Sequence, residues 1–481
     1  MNLTDLLKTL RYHPIVASAQ ASMGSPLEDP EILLRLAEAS VSQGARVIRA
    51  QGLGPIWLMK QELNAPIIGL IKADYRDSAV YITPSRKEVE ELLQTGCEVI
   101  ALDGTRRERP NGDDLSHLIR LIHDQERLAM ADCDSLDSAR YALECGADLI
   151  GTTLAGYTHE SRPMSGPDFD LLRDLCHELN VPIIAEGRYQ EPWQAQAALN
   201  IGAQAVVIGG ALNDPVKQTA RFVGAVHPVN QKVGAVDLGG TWLRFAVADE
   251  RGELSAVEKT SGPRSHAERR EWIHERLIKH QITHLGVSAG GVIDPRTATV
   301  VSAKTFIHDY VGGSFVFDNV VTHALNDGLA TAWGHACLPE YAGKRVAVLA
   351  FGTGVGAGVI ESGNLLMSRN GWPPSLNDLD FSENETVEDV LGGLALSKNP
   401  GTMLQGRAIA AAKRAIEVAD IFWIADEIVV CGGVGLTPWM TSGLAGLNLR
   451  HARLSFSPLG ENAGLIGAAS LVQRAPLGVF R

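Results

Sequence analysis

Through the first 210 residues, short apolar runs recur at helix-length intervals, and nearly every run ends on a polar, charged or glycine residue. The runs are Ile15–Gln20, Ala45–Arg49, Pro66–Lys72, Val99–Asp103, Leu128–Asp132, Leu149–Thr153, Pro182–Gly187 and Ala205–Gly210. Each has the length of a strand and is rich in Val, Ile and Ala. Continuous apolar runs alternating with helix-length stretches predict buried parallel strands in βα units. Eight such units predict an α/β fold of the closed (β/α)8 TIM-barrel type, in which chemistry sits at the C-terminal ends of the strands. Those ends supply Gln20, Arg49, Lys72, Asp103, Asp132, Thr152, Thr153, Glu186, Gly209 and Gly210 as candidate site residues.

Around Val229 the pattern changes. The segment Arg221–Lys232 reads as a last barrel helix running into a connector, His227–Lys232, too short for a flexible spacer. The predicted domains are therefore residues 1–229 and 230–481. In the second, an apolar run from Val233 leads into Asp237-Leu-Gly239-Gly240-Thr241-Trp-Leu-Arg244. Two more strand-to-glycine turns follow, at Val346–Gly356, which holds Gly352, Thr353 and Gly354, and at Ile428–Gly433, which ends on Gly432 and Gly433. Neither Walker A nor GxGxxG spacing fits. Three such turns with a duplicated look predict a two-lobed actin-like ATPase fold closing on ATP. The acidic stretch Asn377–Asp389 reads as a surface loop.

Composition narrows the function classes. The 481 residues suggest two or three domains, and 45% apolar content is ample for large cores. A net charge of −13 argues against nucleic acid or an anionic membrane as partner. No apolar stretch reaches the length of a membrane span. Met1 to Pro14 carries charges and no apolar signal core, so a cytoplasmic location is expected. The six cysteines show no CxxC spacing and read as free thiols in a reducing compartment. His274 and His280, on a charged helix, read as solvated surface histidines.

Lys72 ends a buried run, so partial desolvation lowers its pKa and makes it a candidate base. Glu186 ends a run four strands later, on the opposite side of an eight-stranded ring. Two groups facing each other across a substrate suit removal of a proton from one face of a carbon and its return to the other, which is epimerisation. The alternative from position alone is a structural ion pair at the barrel mouth. Gly187 and Arg188 follow the seventh run, and Gly209 and Gly210 the eighth. Backbone amides there form a common barrel phosphate site, to which Arg188 adds charge; otherwise the glycines serve tight turns only.

The segments Ser18-Ala-Gln-Ala, Val47-Ile-Arg49, Ile68-Gly-Leu-Ile-Lys72, Leu102-Asp-Gly-Thr105, Ala131-Asp132-Cys, Gly151-Thr-Thr-Leu-Ala-Gly-Tyr157-Thr and Ala185-Glu-Gly-Arg188-Tyr resemble the N-acetylmannosamine-6-phosphate 2-epimerase family. The resemblance covers nearly all of residues 1–226. It implies C2 epimerisation of the 6-phosphate without metal or organic cofactor. Lys72 would be the general base and Glu186 the partner acid/base. Arg49 and Asp132 would polarise the substrate and order Glu186 and the acetamido group. Gln20, with Thr152, Thr153 and Tyr157, would contact the sugar.

Between the glycine turns of the second half lies Leu325-Asn326-Asp327-Gly, where Asp327 is placed to take a proton from an attacking hydroxyl. An Asn-Asp pair is also a frequent helix cap. The whole resembles the ROK sugar-kinase family, specifically its N-acetylmannosamine kinases. Asp237-Leu-Gly239-Gly240-Thr241-x-x-Arg244 matches the first phosphate motif, Gly352-Thr353-Gly354 the second, and Gly432-Gly433 the adenosine loop. Ser288-Ala-Gly-Gly-Val-Ile-Asp294 is similar to the sugar loop, with Ala289 where proline is usual, and Asn326-Asp327 to the catalytic pair. ATP and Mg²⁺ are implied, as is a dimer, since both families tend to form one. The family's Glu-x-x-His element and cysteine-rich zinc site have no counterpart in Asn370-Gly-Trp-Pro-Pro-Ser-Leu-Asn-Asp-Leu-Asp, so no zinc is expected. Together the halves imply a bifunctional enzyme of sialic-acid catabolism. The alternative is an active epimerase fused to a non-catalytic sugar-binding or assembly module.

Overall fold

The computed structural model describes residues 1–22, 24–162, 164, 166–226, 232–262, 265–304, 307–368, 370–393, 396, 401–476 and 479–480. The chain divides into two compact units, Met1–Gly224 and Ala225–Arg481. The junction expected at 229/230 lies outside the described residues. Among the described residues no helix is long and apolar enough to cross a membrane.

The first unit is a closed barrel of eight parallel strands: β1 (Ile15–Ala19), β2 (Val47–Gln51), β3 (Ile67–Leu70), β4 (Val99–Asp103), β5 (Leu128–Asp132), β6 (Leu149–Gly151), β7 (Ile183–Glu186) and β8 (Ala205–Ile208), with β8 returning to β1. Every expected run carries a strand, and the ends move by at most two residues. Alternate residues fill the interior: Val16, Val47, Ile68, Leu70, Val99, Ala101, Leu128, Met130, Leu149, Ile184, Ala205 and Val207 form one buried cluster, closed by Leu6 and Leu10 of the helix Leu3–Tyr12. Residues between them, such as Ile48, Ile100 and Ala185, face the helices. The strand period of two then fixes the top interior layer. After Val47 comes Arg49, after Met130 Asp132, and after Ile184 Glu186. The helices between strands carry their own stops and starts; Arg86–Thr95 opens with a Ser85/Glu88 capping box and ends on left-handed Gly96.

Lys72 lies beyond β3, on an extension held in place from the side. Thr83 N–H donates to the Ile71 carbonyl at 2.7 Å, and Lys72 bridges antiparallel to Ile82. That pairing with residues 81–83 keeps the lysine in the interior file of Ile68 and Leu70.

The second unit contains β9 (Val233–Leu238), β10 (Trp242–Ala248), β11 (Leu254–Ser261), β12 (His284–Ala289), β13 (Val292–Asp294), β14 (Thr299–Ser302), β15 (Val321–Asn326), β16 (Val346–Phe351), β17 (Val355–Glu361), β18 (Asn364–Leu365), β19 (Asp380–Ser382), β20 (Glu385–Thr386), β21 (Glu427–Cys431) and β22 (Arg453–Phe456). Two five-stranded sheets run β11-β10-β9-β12-β15 and β18-β17-β16-β21-β22. In both, an antiparallel meander precedes two parallel strands. This repeated topology is the actin-like ATPase fold. Helices Asp327–Ala336 and Ala463–Gln473 cross closely because glycines meet there: a Cβ on Gly334 would lie 2.9 Å from the Gly467 Cα.

Two expectations are corrected here. The acidic stretch Asn377–Asp389 is no surface loop. It folds into the β19–β20 hairpin and the start of the helix Val387–Leu391, because Val387, Val390 and Leu391 enter the core behind a Thr386/Asp389 capping box. His274 is exposed, but His280 is half-buried, its ring stacked on Phe245 with centroids 5.7 Å apart. All six cysteines are free; Cys97, Cys133 and Cys431 are buried and the others half-buried.

Candidate active sites in the two units

A cavity of about 290 Å³ opens at the C-terminal end of the barrel strands. Arg49, Lys72 and Glu186 line it together with Gly187, Gly209 and Gly210. Arg49 is 1% exposed and grips Asp132 with both terminal nitrogens, at 3.1 and 2.6 Å. Its Nη1 also lies 2.8 Å from Glu186 Oε2. Thr153 Oγ1 lies 2.5 Å from Asp132 Oδ1 and 3.1 Å from Glu186 Oε2, linking the two carboxylates. Thr152 fixes the Glu186 backbone, donating to its carbonyl at 2.8 Å and accepting from its N–H at 2.9 Å. Lys72 Nζ donates to Gln20 Oε1 at 3.0 Å, while Gln20 Nε2 donates to Ser18 Oγ. The ion pair expected as an alternative, Lys72 to Glu186, is not formed among the described residues; Glu186 takes Arg49 instead.

Two expected sugar contacts, Asp132 and Thr152, stand behind the cavity wall, buried and spent on Arg49 and on the Glu186 backbone. Arg188 lines the cavity, and its guanidinium is anchored through Nε and Nη2. It donates to the carbonyls of Gly166, at 2.9 Å, and Ala155, and lies over the Tyr157 ring. Tyr157 is 56% exposed at the rim. Tyr81 and Lys217 also line the cavity. Neither ends a strand, so the run pattern did not single them out.

The electrostatics divide the two central groups. Burial pushes the Glu186 carboxyl up to about 7, with Arg49 pulling the other way and Asp132 adding to the rise. Burial, then the charge of Arg49, lowers the Lys72 ammonium below the ordinary lysine range. The Arg49 Nε is buried without a hydrogen-bond partner.

In the second unit, Asp237 lies within β9 and is held by Arg244, whose Nε is 3.0 Å from Oδ2, and by Ser288 Oγ at 3.2 Å. Arg244 also donates to the Glu461 carbonyl at 2.6 Å. The first two glycine turns meet: Thr241 and Thr353 hydroxyls lie 3.2 Å apart, and a Cβ on Gly240 would come 2.8 Å from Thr353 Cγ2. Gly239 N–H donates to the Trp242 carbonyl and Gly352 N–H to that of Gly354, closing each turn. Gly432, at φ +86°, presses on the Phe351 carbonyl, where a Cβ would sit at 2.4 Å, whereas Gly433 faces open space.

Asn326 caps the helix Asp327–Ala336. Its Oδ1 accepts from Gly328 N–H at 2.9 Å, and its Nδ2 donates to the Gly291 carbonyl of the predicted sugar loop. Asp327 is pushed up to about 6, first by burial, then by the charge of Asp237. Glu388, also raising Asp327, was missed by sequence reasoning. Its Oε1 accepts from Val355 N–H at 3.1 Å, and Gly393 N–H donates to the Gly352 carbonyl at 2.7 Å. The helix Val387–Leu391 thus braces the second glycine turn. Asp294 pairs with Arg296 at 3.2 Å.

Comparison with known proteins follows the same division. Residues 33–228 match the family model described as "Putative N-acetylmannosamine-6-phosphate epimerase", and residues 233–376 match the ROK family. The ROK match stops where the chain enters its acidic segment. The chain is 30% identical over 499 residues to the "Bifunctional enzyme NanE/NanK" of Brucella melitensis, with 95% of each chain covered. Its barrel half is 44% identical over 213 residues to the "Putative N-acetylmannosamine-6-phosphate 2-epimerase" of Clostridioides difficile, covering 44% of this chain and 96% of that one. A solved structure of the N-acetylmannosamine-6-phosphate 2-epimerase from Clostridium perfringens is 41% identical, covers 47% of this chain and 98% of its own, and has a TM-score of 0.46.

Proposed function

We propose, on the premise that the chain belongs to the bifunctional NanE/NanK family, that its halves carry out consecutive steps of sialic-acid catabolism. The second half phosphorylates N-acetylmannosamine at O6 with ATP. The first half epimerises the 6-phosphate at C2 to N-acetylglucosamine 6-phosphate. The phosphate added by one half is what the glycine turns of the other are suited to hold.

The observation that carries the epimerase assignment is the placement of Lys72 and Glu186, from β3 and β7, on one cavity with pKa values shifted toward each other. The C2 proton of an aldose is acidic only beside a free C1 carbonyl, so the sugar reacts in its open-chain form. Lys72, its pKa lowered by burial and by Arg49, takes the C2 proton in its neutral form. Gln20 aims its nitrogen. Charge then builds on the C1 oxygen, and the guanidinium of Arg49, which lines the cavity, offsets it. Protonated Glu186 returns a proton to the opposite face of C2. Solvent resets the pair. No step asks for a metal or organic cofactor.

In the second half, the two glycine turns suit nucleotide phosphates. A side chain on Gly240 would fill the gap to Thr353, and two hydroxyls stand together there. Mg²⁺ commonly binds through one or two carboxylates plus substrate phosphates rather than an all-protein cage. Asp237, close enough to raise the pKa of Asp327, fits that requirement and leaves Asp327 for the proton. Bound Mg²⁺ would neutralise charge on the transferring phosphoryl group. Asp327 accepts the O6 proton, and Asn326 ties it to the sugar loop through Gly291.

Transfer of the chain with N-acetylmannosamine 6-phosphate into deuterated water tests the barrel assignment. Wild type is expected to incorporate deuterium at C2 as the epimer forms, and Lys72→Ala to do neither. Near-normal exchange in the variant would remove Lys72 from the role of base.

A further inference from the structure

The phosphate end of the barrel cavity contains a carboxylate. Asp214 is 7% exposed and lines the cavity next to Gly209 and Gly210. An uncompensated carboxylate there would repel a phosphate dianion. Two contacts tie it down: Lys217 N–H donates to Oδ1 at 2.9 Å, and Lys217 Nζ lies 2.9 Å from Oδ2. The lysine stem runs over the eighth-strand turn, since a Cβ on Gly210 would sit 3.6 Å from Lys217 Cδ. Its side chain is 65% exposed, so the ammonium is free to adjust. Arg188, which also lines the cavity, is held by two carbonyls and the Tyr157 ring.

We propose that Lys217 is the specificity-determining cation for the substrate phosphate, masking Asp214 with one ammonium proton and presenting the remaining two to the phosphate oxygens. The inference rests on the epimerase reading given above. It makes Lys217 a binding residue that acts on the C2 base Lys72 only as a minor through-space charge, and Asp214 its anchor. A phosphate contact made equally in ground and transition states moves KM and leaves kcat alone.

Steady-state epimerisation of N-acetylmannosamine 6-phosphate by the full chain tests it. Lys217→Met is expected to raise KM roughly tenfold or more, with kcat within about twofold. Lys217→Arg should restore most of the affinity. Asp214→Asn, added to Lys217→Met, should recover part of the loss by removing the unmasked carboxylate; the Asn oxygen can still accept from the backbone N–H at position 217, in the first turn of the helix Pro215–Val226. An unchanged KM in Lys217→Met overturns the assignment. So does a loss that neither Lys217→Arg nor Asp214→Asn relieves, which marks a merely structural residue. An inactive wild type overturns the epimerase reading and this assignment with it.

Discussion

Glu186 and Asp327 are both buried carboxylates raised above their ordinary range, but they sit in opposite electrostatic company. Glu186 keeps a guanidinium at 2.8 Å and still rises to about 7, because burial outweighs the attraction. Asp327 rises to about 6 first through burial as well, but the carboxylates Asp237 and Glu388 add to the rise instead of opposing it. The first arrangement holds a proton in reserve near neutral pH while Arg49 limits the rise, which suits a group that must both give and regain a proton. In the second, burial and then like charges hold the pKa up, so a cation bound beside them lowers it. Glu186 is paired with a cation of its own fold; among the described residues Asp327 forms no ion pair, and Arg244 is engaged with Asp237 instead.

The sharpest way to break this comparison is to remove each base in turn. Lys72→Ala should cut C2 exchange by up to about 10⁴-fold while phosphorylation continues. Asp327→Asn should cut phosphorylation by about 10³-fold and leave exchange of supplied N-acetylmannosamine 6-phosphate intact. Loss of both activities in either variant would mean that the halves do not work separately. A smaller effect lies in pH. Epimerisation needs one proton shared between Lys72 and Glu186. Below the Glu186 pKa the pair gains a second proton, and above the Lys72 pKa it loses the only one. The profile of kcat/KM should therefore be bell-shaped, with its acid limb near 7 and its alkaline limb below the usual lysine range. An acid limb near the ordinary glutamate value would contradict the burial argument. The smallest effect concerns Glu388. Glu388→Gln keeps the acceptor for Val355 N–H but removes a charge that raises Asp327. The acid limb of phosphorylation should then move to lower pH, with little change in the plateau rate.

The barrel was legible because parallel strands buried on both faces must be continuous apolar runs, and period two then places Arg49, Asp132 and Glu186 in one interior layer. What the runs could not tell is which of these touches the cavity. Asp132 was expected against substrate but is used up by Arg49, a division that only packing decides. Lys217 left no trace of its own, since an exposed lysine nine positions past a strand resembles any surface lysine. In the second unit the glycine turns follow strands and were readable, whereas the brace on Gly352–Val355 comes from a segment whose polarity suggested a loop. Its three apolar residues were too few to outweigh the acids around them, yet burying them in the core is what brings Glu388 to the turn.

The most direct test is proton NMR of N-acetylmannosamine incubated with the chain, Mg²⁺ and ATP, beside the Asp327→Asn variant. Formation of N-acetylglucosamine 6-phosphate by wild type alone is the predicted result: both halves work, and Asp327 is needed for the first step. No reaction of N-acetylmannosamine, with supplied N-acetylmannosamine 6-phosphate still epimerised, would contradict the account and leave the second half as a non-catalytic module for this sugar.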